Sequence, residues 1–514
     1  MREGCETSPT PTSSPTPPPP KPKPRVKRLE RKQVRLVIID PERLVEEDHP
    51  VRAILDLLHK LDLSRFYEGI KAVEGRAGRE PSDPEVLIAL WLYALSRGIR
   101  QGRFLDRWSR YEPGCQYLLD MGHINYHTLN DFVNEYEAAL DELFVQLLHV
   151  LMNEELVDLE RVAHDGTKIR ASASRRSFKG QEGLEECKKL AEEHLQAIKQ
   201  QAADPQLSAQ QRQARKRAAQ KRVERLRRAE EVLQREVEQK GKKARASVSD
   251  PDARVMRQGD DGGFAPSYNA QISTDARHGV ILAYEVSQEQ EDSHQLQPAL
   301  KRIEANTGQL PKQTLVDGNY TTRENILETP QATELIGSLG KDRSRSKLQR
   351  QGVSEEFMPE HFTFHEAANR FTCPAGQSLE YETRKKLMGA IEKHYRAKAS
   401  DCAACPFASQ CCPKMVQKGR GRLLTKTEED PKVGEFRRRM GQSKYRDIYR
   451  QRAQVAEFAN ACLKEKKGLR RFRRRSLAKV RAELAWACLS CNVSIWIRLH
   501  RKITPQPTTR DRCV

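Results

Sequence analysis

Two aspartates in this sequence stand in the same local setting. Asp165 follows Arg161-Val-Ala-His164 and precedes Gly166; Asp317 follows Thr314-Leu-Val316 and precedes Gly318. In each case a short apolar run, the pattern of a buried strand, leads into Asp-Gly, the pattern of an exit turn. A carboxylate held by a core strand and left open by a turn suits a divalent cation, and two such carboxylates suit phosphoryl chemistry. One Asp-Gly alone reads as a turn; the repetition is what raises the chemical reading. That chemistry asks for a third acid. The helical run Tyr449 to Lys464 offers Glu457. Arg450 lies seven residues before it and Lys464 seven after, two helical turns each way, so the three are predicted to share a face. In isolation Glu457 would be a solvated helix charge.

A second constellation is made of thiols. Of 12 cysteines, Cys373, Cys402, Cys405, Cys411 and Cys412 fall in one region. The pair Cys402-x2-Cys405, with thiols before and after it, matches a tetrahedral Zn²⁺ site built from Cys373, Cys402, Cys405 and Cys411, with Cys412 as the rival of Cys411. The alternative is reduced cysteines without metal. Cys488 and Cys491 share the same spacing but sit in an apolar helix pattern, where a core role is expected.

These side chains must be positioned by 514 residues, enough for several structural units. Lys and Arg number 91 against 71 Asp and Glu, a net charge of +20 and a pI near 9.4, which points to a polyanionic partner, nucleic acid above all. Aromatic residues make up 6 %, too few for a broad base-stacking platform. No apolar run reaches the roughly 18 residues of a membrane span. No apolar signal region follows Met1, so secretion is not indicated, a cytoplasmic location is expected, and the clustered cysteines read as metal-binding rather than as a disulfide framework.

Along the chain, residues 1–32 form a Pro-rich basic arm with no capacity for a core. Residues 33–158 open with a candidate strand, Val34 to Ile39, and continue as helices. Ser82-Asp-Pro-Glu85 reads as a capping box before the apolar run Val86 to Leu95. A further helix starts near His127-Thr128 and carries Leu129, Phe132, Tyr136, Leu140, Leu143 and Phe144. Arg97, Arg100 and Arg103 at a helix exit suit a DNA-binding helical module, or equally a plain scaffold. Residues 159–340 alternate strand and helix patterns: Tyr268 to Ser273, Gly279 to Val286, Gln313 to Val316 and Glu334 to Leu339 read as strands. A charged helical hairpin is inserted at 181–246. Residues 341–440 are loop-rich and hold the cysteines, 441–500 are helical, and 501–514 form a tail. The order predicts an α/β fold with a mixed sheet.

With those motifs in place the chain resembles a bacterial insertion-sequence transposase of the DDE class. The residues that carry the likeness are Ala163-His-Asp-Gly-Thr-Lys168, Tyr268-Asn-Ala-Gln271, Val316-Asp-Gly-Asn-Tyr320, the helix with Tyr449, Arg452, Glu457 and Lys464, and the basic segments Gly468-Leu-Arg-Arg-Phe472 and Lys479-Val-Arg-Ala-Glu483. It runs from about residue 34 to residue 500. The resemblance implies an RNase H-like core with a helical N-terminal domain, a long helical insert and a Cys-rich insert. It implies that Asp165, Asp317 and Glu457 hold two Mg²⁺ (or Mn²⁺) ions for DNA cleavage and strand transfer. It also implies that Tyr449, Arg452 and Lys464 contact DNA, with Arg450 a substitute for Arg452. Many relatives place that arginine four residues before the Glu, and Arg452 lies five before Glu457. The implied partners are double-stranded DNA, as terminal inverted repeats and target, and further copies of the chain in at least a dimer. The implied setting is the bacterial nucleoid. Two alternatives stay open: an inactive basic DNA-binding protein on the same scaffold, and a stand-alone nuclease.

Overall fold

The computed structural model describes residues 38–70, 72, 80–200, 207–259, 263–338, 343–387, 390–428 and 430–500. The expected basic arm, the tail and residues 34–37 of the candidate first strand lie outside these; Ile38 and Ile39 are exposed and in no strand.

The core is a six-stranded mixed sheet laid around β1 (Arg161–Arg170). Its other strands are β2 (Arg254–Arg257), β3 (Phe264–Asp275), β4 (Ile281–Ser287), β5 (Gln313–Val316) and β6 (Glu334–Gly337). On one side β1 pairs antiparallel with β3, from Val162 opposite Asp275 to Arg170 opposite Ser267. On the other it pairs parallel with β5, from Arg161 opposite Gln313 to His164 opposite Val316. β6 extends the parallel side, while β2 and β4 share the far edge of β3. Val162, Ala163, His164 and Ile169 are all buried, as a strand covered on both faces requires.

One expectation is corrected here. Asp165-Gly166 is not an exit turn: β3 keeps pairing past both residues, so β1 runs through them to Arg170. Asp317 does end its strand, and the chain turns at once, with the Tyr320 amide donating to the Asp317 carbonyl at 3.0 Å.

One hydrophobic core joins a face of the sheet to several helices, among them α1 (Pro84–Ser96), α2 (Glu137–Asn153) and, near the C-terminus, Leu477–His500. α1 is buried nearly all round, from Leu87 to Leu95. Its N-cap is Asp83, whose carboxylate accepts from the Glu85 amide at 2.9 Å, so the box expected at Ser82 is not used. The stripe expected as one helix from His127 is two, Tyr126–Glu135 and α2, parted at Tyr136. Polar ties fasten the layers. Asn492 accepts from the Ile281 amide at 2.9 Å and donates to its carbonyl at 2.8 Å, and Arg481 bridges Asp141 and Glu285. The hydrophobic core therefore crosses the boundary drawn near residue 158.

The hairpin consists of α3 (Gln181–Gln200) and α4 (Ala209–Lys240), packed along Leu184, Ala191, Val223, Leu226 and Leu233. The stretch 341–440 differs from the loop-rich expectation. It holds a five-stranded antiparallel sheet: β7 (Thr363–His365), β8 (Arg370–Thr372), β9 (Ser378–Leu387), β10 (Ala390–Ala397) and β11 (Leu423–Glu428). Leu379, Tyr395 and Leu424 line its small core with Phe357, Met358 and Phe362. Past it, α6 (Ser443–Ala461) lies against β1, where Arg161 donates to the Gln451 side chain at 3.1 Å; α5 (Leu296–Thr307) packs near β4, and α7 is the C-terminal helix Leu477–His500.

Candidate functional site

The parallel ladder between β1 and β5 ends at His164 opposite Val316. The next residue on each strand is an aspartate, so Asp165 and Asp317 stand side by side where the two strands part. Asp317 Oδ1 accepts from the Gly318 amide at 2.6 Å. Burial pushes the Asp165 carboxyl up to about 6. The nearby charges of Asp317 and Asp292 push it the same way, and Arg452 opposes them. Arg452 reaches in from α6, with its Nη1 3.7 Å from Asp165 Oδ1, and both side chains are mostly covered. Lys464 also feels the Asp165 charge; burial lowers its ammonium pKa, helped by Arg470 and opposed by Asp165.

Under Gly166 lies a polar network. Asp292 Oδ1 accepts from Asn269 Nδ2 at 2.6 Å, Gln271 Nε2 at 2.9 Å and Lys168 Nζ at 3.0 Å. The Tyr320 hydroxyl donates to Gln271 Oε1 at 2.6 Å. A Cβ at position 166 would sit 2.5 Å from both Asp292 Oδ1 and Gln271 Nε2, which is why the residue after the aspartate is glycine. His164 is buried and held neutral, its pKa lowered to about 4 by burial; its Nδ1 meets Ser273 Oγ at 2.9 Å. Asp292 was not legible in the sequence, because it sits in an irregular acidic stretch between β4 and α5. Asn269 and Gln271, two apart on a buried strand, carry a readable signal: polar side chains on one buried face need partners.

The other expected residues are placed less uniformly. Glu457 is exposed, five residues and about 140° around the helix from Arg452. Arg450 is exposed and pairs with Asp447 at 2.7 Å, so it does not replace Arg452. Tyr449 is half-buried beneath the Arg452 guanidinium, 5.8 Å from ring centre to Cζ. Lys464 lies within a π turn, Cys462–Lys466, so Glu457 and Lys464 are not related by two plain α turns as expected. Among the described residues no three His, Cys, Asp or Glu side chains are grouped as a metal ion would need. The Asp165–Asp317 pair fits a hard divalent cation chemically, since two crowded carboxylates gain from a shared positive charge.

Cys373, Cys402, Cys405, Cys411 and Cys412 line one cavity of about 20 Å³ together with Arg422. The Arg422 guanidinium is buried, among the described residues without a carboxylate partner: it donates to the carbonyls of Cys411 and Phe357 at 3.0 Å each. The Cys411 thiol pKa is lowered by its hydrogen bond with Cys412, against burial and with help from Arg422. The donor chemistry is that of a soft cation, but these side-chain positions do not enclose one. Cys491, expected as plain core, forms a disulfide with Cys462 in the π turn, and Cys488 is buried and free.

Residues 372–496 match the family model described as a transposase DDE domain. The matched segment contains the thiol cluster, Tyr449, Arg452, Glu457 and Lys464, while Asp165, Asp317 and Asp292 precede it. No curated protein and no solved structure matches the chain. No described helix is long and apolar enough to cross a membrane. The match thus covers about a quarter of the chain, and it includes Arg452, the side chain that reaches Asp165.

Proposed function

We propose that the chain is a transposase of the insertion-sequence kind, which binds transposon ends in double-stranded DNA and carries out metal-dependent cleavage and strand transfer. The observation that carries this reading is the Asp165–Asp317 pair at the fork of two parallel strands, met by Arg452 from within the family segment. An RNase H-like core is supported by the mixed sheet. The strand of the first acid is central, antiparallel on one side and parallel on the other, and the parallel neighbour ends in the second acid.

Asp165 and Asp317 would hold Mg²⁺ or Mn²⁺. When bound, such ions supply charge to an in-line displacement at phosphorus, on the attacking and the leaving oxygen. The chain's own contribution is positional and electrostatic. β1 carries Asp165, the turn after β5 carries Asp317, and Arg452 and Lys464 bring positive charge to where a scissile phosphate would lie. Tyr449 supports the Arg452 guanidinium. Glu457, on the same helix, is the third acid of this proposal; its own test is Glu457→Gln, which should abolish cleavage and leave folding and DNA binding intact. The net charge of +20 supports DNA as partner. Joining two ends asks for at least two copies, and such a substrate places the protein at the bacterial nucleoid.

A structural Zn²⁺ at Cys373, Cys402, Cys405 and Cys411 belongs to the same proposal. Its support is the shared cavity and the buried Arg422, whose charge would offset part of the net negative charge of four zinc-bound thiolates. Metal analysis of purified protein should find about one zinc per chain, lost in Cys402→Ser; metal-free protein of full stability would remove this part.

The reading is tested by incubating the protein with linear DNA ending in the element's own repeats, a supercoiled target and Mg²⁺. Joined products support it. Binding without cleavage would favour the inactive DNA-binding alternative, to which the exposed position of Glu457 lends weight. Nicking without joining would favour a nuclease.

A further inference from the structure

The relative position of Asp165 and Asp317 is not set by the sheet. The ladder that holds β1 to β5 stops one residue before each of them. Beyond that point β1 continues against β3 alone, and the chain after β5 turns through Gly318 to Tyr320. Whatever spans the opening fork must therefore fix the spacing of the two carboxylates.

Beside the edge-on packing of His164 against Tyr320, two hydrogen-bonded connections among the described residues span it, and both pass through residues 292–293. The first is a chain of side chains. Lys168 of β1 donates to Asp292 Oδ1, Gln271 of β3 donates to the same oxygen, and Tyr320, three residues after Asp317, donates to Gln271. The second runs through Asn325, whose Nδ2 donates to the Ser293 carbonyl at 2.6 Å and to the Tyr320 carbonyl at 2.8 Å. Three donors converge on one Asp292 oxygen, and the backbone of Gly166 packs directly against it. Charge-assisted bonds of this kind are the stronger ones, and removing their acceptor leaves an ammonium and two amides without it in a largely covered place.

We propose that Asp292 is a positioning residue for the Asp165–Asp317 pair, bracing the fork so that the two carboxylates address one cation. This rests on the transposase reading of that pair. Asp292 spends one oxygen on three donors, so its part is to orient its neighbours.

The test measures Mn²⁺ binding to the DNA-free full-length protein by electron paramagnetic resonance, alongside cleavage turnover, for wild type, Asp292→Ala, Asp292→Asn and Tyr320→Phe. Asp292→Ala should weaken Mn²⁺ binding and turnover about 10- to 100-fold, the usual effect of losing a residue that orients metal ligands. DNA affinity should stay unchanged. Asp292→Asn keeps an acceptor oxygen and should recover most of the loss. Tyr320→Phe, a near-isosteric change, should weaken Mn²⁺ binding in the same direction and covers the case in which Asp292→Ala does not fold. Wild-type Mn²⁺ affinity in Tyr320→Phe and in whichever Asp292 variant folds would overturn the inference. A wild type that neither binds Mn²⁺ nor cleaves would instead overturn the transposase reading itself.

Discussion

Arg452 Nη1 stands 3.7 Å from Asp165 Oδ1, so a cation on α6 already compensates the first carboxylate of the pair. Removing it should leave two crowded carboxylates without that counter-charge. Arg452→Ala is expected to lower the stability of the metal-free protein by about 1 kcal/mol at pH 7, the scale of a partly covered ion pair. The loss should vanish near pH 5, where Asp165 is protonated. Thermal unfolding at the two pH values checks this.

Asp165 carries a sign that can be worked through. Its folded pKa, about 6, lies above that of an unfolded aspartate, so the folded state holds the proton more tightly. Between about pH 4 and pH 6 the metal-free protein should lose stability as pH rises, by about 3 kcal/mol for this group. Asp165→Asn should flatten that slope and raise stability at pH 7. Cleavage should rise with pH through about 6, since cation binding needs the ionised carboxylate. Urea unfolding from pH 4 to pH 7 and a pH–rate profile read these two effects separately.

Gly166 is required by closeness. Gly166→Ala would press a methyl group against Asp292 and Gln271, at 2.5 Å from each. Overpacking of this kind costs roughly 1–3 kcal/mol. Denaturant unfolding should show the loss, and cleavage should fall more than stability does, because the displaced residues are those that brace the fork.

The disulfide Cys462–Cys491 joins the π turn beside Lys464 to α7 across 29 residues. A cross-link over such a span contributes about 3–4 kcal/mol on the chain-entropy account. Reductant, or Cys491→Ser, should lower the unfolding midpoint by a corresponding amount, and neither should alter Cys488, which is unpaired.

The strands around the site were legible because their apolar runs are bounded by Gly, Asp or Pro. β3, β4, β5 and β6 lie where Tyr268–Ser273, Gly279–Val286, Gln313–Val316 and Glu334–Leu339 were read. β1 was read only to Asp165, since a glycine needed for close approach looks the same in sequence as one needed for a turn. The second sheet was missed for a different reason. β9 and β10 are short of apolar residues and rich in Lys, Arg and Glu, because one small core takes only Leu379, Tyr395 and Ala397 from them. The spacing of Arg452 from Glu457 departs from the family pattern, yet Arg452 faces Asp165 and Glu457 faces solvent. That relation depends on how α6 lies over the sheet, which a helical period does not encode. The π turn that contains Lys464 and the convergence of three donors on Asp292 are likewise tertiary facts.

The central claim is that Asp165 and Asp317 are the carboxylates of a DNA-cutting site, and Asp317→Ala tests it most directly. The measurement is Mg²⁺-dependent cleavage of DNA carrying the element's terminal repeats, wild type against variant, with DNA binding followed in parallel. The account predicts nicking at the ends by the wild type, and loss of at least about a thousandfold in the variant with binding retained, as expected when a group acting on the transition state is removed. Cleavage by Asp317→Ala at the wild-type rate would contradict it.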